Sequence, residues 1–295
     1  MTGSGKSELL ISWLLSIACN YHPEDVSFVV IDYKGGSTAY ALEELPHVCG
    51  IITDVGSGID RCMQSLEYEL RRREDIFASV GAKDIKEYIK GHHKGEFQEA
   101  VPRLLIVFDE FKELIKERPV VKKMVDSIAA KGSSLGVHLI LATQSPADAV
   151  DEGTWNNTQY QICMKVQNAA ASKVMIHEPD AAMITQAGRA YVRVGTSEKA
   201  ETFALIQSAW SGAPYRENKE QGALEVRYVT MDGSRIKTVE ENHTRFVSDK
   251  KEIEAVIAYI AKNSPSGRYR ETAITVENRT SGSLQLEEAA GGRQL

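Results

Sequence analysis

The apolar positions of this chain fall into two kinds of run. The stretches SFVVID (27–32), RLLIVFDEF (103–111) and VHLILATQ (137–144) are short and apolar without alternation. That pattern suits parallel strands covered on both faces. Between them the spacing is helical. Leu9–Cys19 reads as a buried helix leaving a glycine loop, followed by a turn at YHPEDV (21–26). Residues 60–79 place Met63, Leu66 and Leu70 at i, i+3 and i+7, with Asp60 as N-cap. Residues 119–131 form another helix, and KGGS (34–37) a loop. Residues 81–100 are polar, carry Gly81, Gly91 and Gly95, and read as a surface excursion. YQICMKV (160–166) and RAYVRVG (189–195) are later strands. Strands alternating with helices predict an α/β fold with a mostly parallel central sheet flanked by helices.

The pattern changes after residue 208. GAPYRENKEQG (212–222) is polar, and ALEVRYVTMDGSRIKTV (223–239) alternates around Asp232-Gly233, a hairpin signal. KKEIEAVIAYIAKNS (250–264) places Ile253, Val256, Ile257 and Ile260 on one helical face. The remainder, rich in Gly, Ser, Glu and Arg, reads as a linker or disordered tail. The expected organisation is a main module over 1–208, a connecting segment with hairpin and amphipathic helix over 209–265, and a tail over 266–295.

Composition narrows the functional classes. The chain has 295 residues, 42% of them apolar, and a formal net charge of −6. Enough apolar residue is present for a real core. The acidic balance argues against retention on DNA by bulk charge, although a local basic groove stays open. The four cysteines are scattered without a C-x-x-C pair, which reads as small buried residues in a reducing compartment. The longest apolar run, about eleven residues from Leu9 to Cys19, falls short of the roughly 20 that a bilayer demands. Work at a membrane would depend on other segments or partners.

Three stretches carry chemistry. In TGSGKSE (2–8), Gly3 and Gly5 let backbone N–H groups turn inward around phosphate oxygens, with Thr2 and Ser4 completing the loop. Lys6 reaches the β- and γ-phosphates, the Ser7 hydroxyl can ligate Mg²⁺, and the helix from Glu8 points its positive end at the same anion. In the full G-x-x-x-x-G-K-[ST] pattern the first glycine would stand one position before Met1. The chain as given is therefore expected to bind nucleotide less tightly than one extended upstream by about ten to fifteen residues, roughly a strand and its turn. RLLIVFDEF then ends a strand on adjacent carboxylates. Asp109 suits a Mg²⁺ shell, and Glu110 suits orienting or deprotonating a water. VHLILATQ brings Thr143 and Gln144 to the same end of the sheet, with Gln144 a candidate γ-phosphate or water sensor. The pairing of GKS with DE, about 100 residues apart, identifies a P-loop ATPase using ATP and Mg²⁺. IDYKGG (31–36) ends a further strand at the site rim. Asp32 and Lys34 there fit a coupling role and equally a tight turn.

These residues resemble the FtsK/SpoIIIE-type ATPases. The likeness rests on TGSGKSE, VVIDYKGG (29–36), LPHV (45–48), LEYELRRR (66–73), LLIVFDEF (104–111), SLGVHLILATQSP (134–146), GTWNNTQYQICMKVQ (153–167) and TQAGRAYVRVG (185–195). Within that family, IDYKGG, LPHV, the Trp155 segment, AGR-to-VG and AWSGAPY (209–215) are most similar to the EssC/EccC proteins of type VII secretion. The resemblance implies a RecA-like motor module working beside other ATPase modules of one parent chain or oligomer. It implies WXG100-type secreted proteins as substrates and a membrane secretion complex as the setting, with the module at the cytoplasmic face of the membrane. Many members carry a basic residue where Ser133, Ser145, Gln159 and Gln161 stand here. An arginine finger is worth about 10³–10⁵ in rate, so the resemblance implies slow turnover in isolation. A DNA-translocating ATPase and a nucleotide-binding docking module with little turnover are the alternatives.

Other features admit plainer readings. Arg71, Arg72 and Arg73 point about 100° apart on a helix and have Glu67, Glu69, Glu74 and Asp75 nearby, so they read as an internally paired, solvated face. His92 and His93 lack a spaced metal-ligand partner. Trp155 and Tyr160 fit a base or partner stack and, equally, a packed module edge.

Overall fold

The computed structural model describes residues 3–33, 36–53, 56–144, 158–195, 199–215, 228–229, 235–236 and 250–264. Four strands build the central sheet: β1 (Val26–Asp32), β2 (Val48–Ile52), β3 (Arg103–Asp109) and β4 (Val137–Leu141). They are all parallel, in the order β2-β1-β3-β4. Strand period two sorts their side chains onto two helical layers. Phe28 and Val107 face α1 (Lys6–Asn20), packing with Leu10, Ile11 and Leu14. Val29, Ile31, Ile106 and Phe108 face the other layer. That layer holds α3 (Ser57–Val80), α4 (Ile85–His93), α5 (Phe111–Glu117) and α6 (Pro119–Leu135). Strand β1 is buried throughout, whereas β4, at the sheet's edge, is half-buried from His138 onward. The expectation of a third fully buried strand is corrected there, because β4 has only one strand neighbour among the described residues.

The later strands do not extend this sheet. β5 (Tyr160–Met164), β6 (Arg189–Gly195) and β7 (Ala200–Gln207) form their own antiparallel sheet, in that order. α7 (Ala169–Ile176) covers it with Ile176 against Cys163 and Tyr191. The link between β6 and β7 is too short for a parallel crossover, so an antiparallel pair is the only solution. The hairpin signal around Asp232-Gly233 is met by a short pair, β8 (Tyr228–Val229) and β9 (Arg235–Ile236). The last described helix, α8 (Glu252–Asn263), lays Ile253 and Ile257 onto the α1 layer. Val256, expected on that face, is exposed instead, since it lies about 100° from Ile257. The tail lies outside the described residues.

Three further expectations are revised. Helix α3 begins at Ser57 rather than at Asp60, whose carboxylate meets Arg118 at 3.5 Å. The polar stretch 81–100 contains α4, capped by the Asp84 side chain accepting from Lys86 N and Glu87 N. Its Ile85 and Tyr88 are buried, and Tyr88 stacks between Phe77 and Phe97 with centroids 5.1 Å from each. Two inward residues per helix are enough to dock it, although the stretch as a whole is polar. Cys62 and Cys163 are buried as expected, with thiols pushed up by burial to about 12 and about 11, but Cys19 is exposed at the end of α1.

The three arginines of LEYELRRR are paired, as expected, but they are not all solvated. Arg71 meets Glu67 at 2.5 Å, and Arg72 meets Glu69 at 2.7 Å and Glu99 at 2.6 Å. Arg73 is only 2% exposed. It donates to Glu69 at 2.7 Å and to the Leu135 carbonyl at 2.9 Å, tying α3 to the end of α6.

His47 supplies a pH response. It is buried, stacks on Phe28 with centroids 5.7 Å apart, and shares a 2.8 Å hydrogen bond with the Tyr21 carbonyl through Nε2. Nδ1 is buried without a partner among the described residues, so protonation would place an unpaired N–H there. Burial lowers the His47 pKa below 6.5, and burial followed by the charges of Arg103 and Arg73 lowers that of His138. Below about pH 6.5 the unfolded chain binds more protons than the folded one, so this stability is full above that pH and is lost as pH falls below it. Urea midpoints measured from about pH 7.5 to 5.5 are expected to fall, and His47→Gln is expected to flatten the slope. An identical slope in the variant would exclude His47 as a contributor.

Candidate nucleotide site

The carboxyl ends of the parallel strands converge on the start of α1. Gly5 is the N-cap of that helix, with φ of 97°, and Leu9 N donates to its carbonyl at 2.9 Å. A side chain at Gly5 is excluded twice, by this left-handed backbone and by crowding. A Cβ there would stand 2.7 Å from Gly188 N. Gly188 N itself donates to the Ser4 carbonyl at 2.8 Å. Gly3, Ser4, Gly5, Lys6 and Ser7 thus wrap into the helix start, where free N–H groups and the helix dipole favour an anion. Thr2 lies outside the described residues.

Lys6 reaches across to β3. Its Nζ stands 2.6 Å from Asp109 Oδ1 and 2.7 Å from Glu110 Oε1. Both carboxylates are nearly inaccessible to solvent. Glu110 sits in the left-handed region, φ 58°, where β3 breaks into α5, and its N–H donates to Asp109 Oδ1 at 3.0 Å. This break turns two consecutive carboxylates toward one lysine, which an extended strand would send to opposite faces. A non-glycine residue at positive φ is strained and persists only where its surroundings over-determine it, and such strain clusters at active sites and switch regions. From beyond β4, Gln144 Nε2 donates to Glu110 Oε1 at 2.6 Å. The four residues expected to act together, Lys6, Asp109, Glu110 and Gln144, are in direct contact. Ser7 stands in the same first turn as Lys6.

Sequence reading missed two participants. Thr38, on the short helix α2 (Ser37–Tyr40), is fully buried and donates through Oγ1 to Asp109 Oδ2 at 3.1 Å. Its N–H donates to Asp32 Oδ2 at 3.1 Å. Asp32 pairs in register with Asp109, so the IDYKGG strand end is linked to the end of β3 through Thr38 as well. The signal was a hydroxyl residue six positions after a strand-ending aspartate, which is too common to single out. Lys34 and Gly35 lie outside the described residues. The second is Ser211, whose N–H and Oγ donate to Glu8 Oε2 at 2.8 and 2.6 Å. Glu8 thus meets the segment after β7, as well as standing in the first turn of α1.

The segment RAYVRVG carries two arginines. Arg193 is buried and donates to Gln161 Oε1 at 3.1 Å. By register, Arg189 and Arg193 share the face of β6 opposite the one carrying Ala190, whose partner Met164 approaches Gly5. Ser133 stands at the end of α6, by the start of β4, away from the strand ends that form the site. Ser145 and Trp155 lie outside the described residues.

The FtsK/SpoIIIE family model matches residues 1–148, half of the chain and both halves of this site. The chain belongs to the FtsK/SpoIIIE family. Among curated members, it is 41% identical over 232 residues to the ESX secretion system protein EccC of Geobacillus thermodenitrificans, covering 78% of this chain and 16% of that protein. It is 40% identical over 268 residues to the ESX secretion system protein YukB of Bacillus subtilis, covering 88% of this chain and 18% of that protein. The type VII secretion system protein EssC of Staphylococcus aureus is 41% identical over 271 residues, with the same coverage of 88% and 18%. The chain therefore spans less than a fifth of these relatives' length. Among solved structures, the cytoplasmic domain of the Thermomonospora curvata type VII secretion ATPase EccC superposes with a TM-score of 0.72 at 28% identity, over 91% of this chain and 28% of that one. Among the described residues, no helix is long and apolar enough to cross a membrane.

Proposed function

We propose that this chain is an ATP-binding and ATP-hydrolysing motor module of a type VII protein-secretion system. The observation that carries the reading is the contact of Lys6 with Asp109 and Glu110, closed by Gln144, at the start of α1. A hydroxyl and a buried carboxylate are hard oxygen donors that fit Mg²⁺: the Ser7 hydroxyl and Asp109 would hold it, with Thr38 steadying the second Asp109 oxygen. When bound, Mg²⁺ supplies neutralisation of charge on the β- and γ-phosphate oxygens. Lys6 has the reach to pass from the carboxylates to those oxygens. Glu110, so released, orients the attacking water and accepts its proton as the water oxygen bonds to the γ-phosphorus and the bond to the β–γ bridging oxygen breaks. Gln144 holds Glu110 in line.

Turnover in isolation is slow on this reading, because Arg193 is engaged with Gln161 and an arginine supplied by a neighbouring module would raise it. Type VII secretion is favoured over DNA translocation by the secretion relatives and by the pairing of Arg71, Arg72 and Arg73 within the fold. WXG100-type substrates, neighbouring ATPase modules and a station at the cytoplasmic face of the membrane are part of the same proposal. Phosphate release from ATP by the purified chain is expected to require Mg²⁺ and to be unaffected by duplex DNA. Release that survives metal chelation would overturn the assigned metal chemistry. Strong DNA stimulation with a steep salt dependence would favour translocation instead.

A further inference from the structure

The segment after β7 runs beside the phosphate loop and is anchored to it at two points. Ser208 N donates to the Gly188 carbonyl at 2.8 Å, and Gly188 in turn holds Ser4. Three residues on, Ser211 holds Glu8 through two hydrogen bonds. Residues 208–211 therefore span the loop from Ser4 to the first turn of α1. Trp210 lies between the anchors and is 65% exposed.

Single exposed apolar residues are ordinary on a protein surface. Trp210 differs in being held. A Cβ on Gly212 would stand 2.7 Å from the indole Nε1 and 3.0 Å from Cε2, so the ring rests on a backbone that only glycine leaves clear. The indole is backed by main chain, open on its outer side, and one residue from a group bonded to the phosphate-loop helix.

We propose that Trp210 is the nucleobase platform of this site, stacking on the purine ring of a nucleotide whose phosphates lie in the 3–7 loop. This rests on the ATP-binding reading above and adds a subsite to it. The loop and Lys6 engage the polyphosphate alone, so they give no grip on ribose or base. A rigid aromatic plane beside the first turn of α1 supplies that grip, and its contact tolerates any base because every base offers a π-face. Glu8 and Ser211 act as positioning residues that keep the platform in register with the loop.

The test compares ATP with inorganic tripolyphosphate, which has the phosphates and no base. In wild-type chain, Trp210→Ala, Trp210→Phe and Gly212→Ala, affinities for both are measured by calorimetry, with circular dichroism confirming the fold. Trp210→Ala is expected to weaken ATP by about tenfold or more and to leave tripolyphosphate within about twofold, with Trp210→Phe recovering most of the loss. Gly212→Ala, which displaces the ring, is expected to follow Trp210→Ala. Equal loss for both ligands, or unchanged ATP affinity in Trp210→Ala, overturns the platform while leaving ATP binding intact. Failure of the wild-type chain to bind either ligand overturns the platform and the ATP reading together.

Discussion

Glu110→Gln is expected to lower phosphate release by about 10²–10⁴-fold, the usual range for removing a general base, while ATP binding persists. The substitution keeps the shape of the side chain, and Gln144 Nε2, now 2.6 Å from Glu110 Oε1, can still donate to the amide oxygen. What is lost is a negative oxygen able to take the proton from water. The left-handed backbone at this position, φ 58°, is the same burden for Glu and Gln, so folding is expected to change little. Lys6 keeps Asp109 and loses one of its two carboxylates. With less charge holding it back from phosphate, the variant is expected to bind ATP at least as tightly as the parent. Phosphate release and fluorescent-nucleotide binding, measured side by side, separate the two effects. A variant that hydrolyses ATP at the parental rate would remove Glu110 from the mechanism. Parental turnover that is already fast in the isolated monomer would remove the slow-motor reading.

Arg73→Ala is expected to be the most damaging substitution for stability. Deleting one partner of a buried ion pair costs about 3–5 kcal/mol, a large share of the 5–15 kcal/mol that holds a typical domain together. Here the guanidinium also satisfies the Leu135 carbonyl at the end of α6, which would be left buried and unpaired. Burial by itself would raise the Glu69 carboxyl; hydrogen bonds and charge from Arg72 and Arg73 together outweigh it and hold it below its ordinary value. Arg72 keeps its contact with Glu69 in the variant, which places the expected loss near the lower end, about 3 kcal/mol. Urea unfolding reads this directly. A double change, Glu69→Leu with Arg73→Met, is expected to recover part of it, since it strands no carboxylate at position 69, while the Leu135 carbonyl stays unpaired and Arg72 loses Glu69. A loss below about 1 kcal/mol in Arg73→Ala would mean that the pair is solvated in solution.

Sequence alone determined the layered α/β core and singled out the residues that the fold brings together at the candidate site. The short apolar runs SFVVID and RLLIVFDEF, bounded by turn signals, read as strands covered on both faces, and Gly5-Lys6-Ser7 with Asp109-Glu110 is an uncommon combination. Each run and each half of that combination is a local property, carried by residues within a few positions of one another, although the two halves stand about 100 residues apart. Tertiary structure decided everything that depends on non-local closure. It separated β5–β7 from the parallel sheet and placed α4 in the core through two side chains of a polar stretch. It buried Arg73 while its neighbours stayed partly wet, and it buried Arg193 against Gln161. It also brought Thr38 to Asp109 and Ser211 to Glu8, the latter across 203 positions of chain. A hydroxyl has no pattern of its own. Its role is set by which buried carboxylate lies within about 3 Å, and only the folded chain fixes that distance.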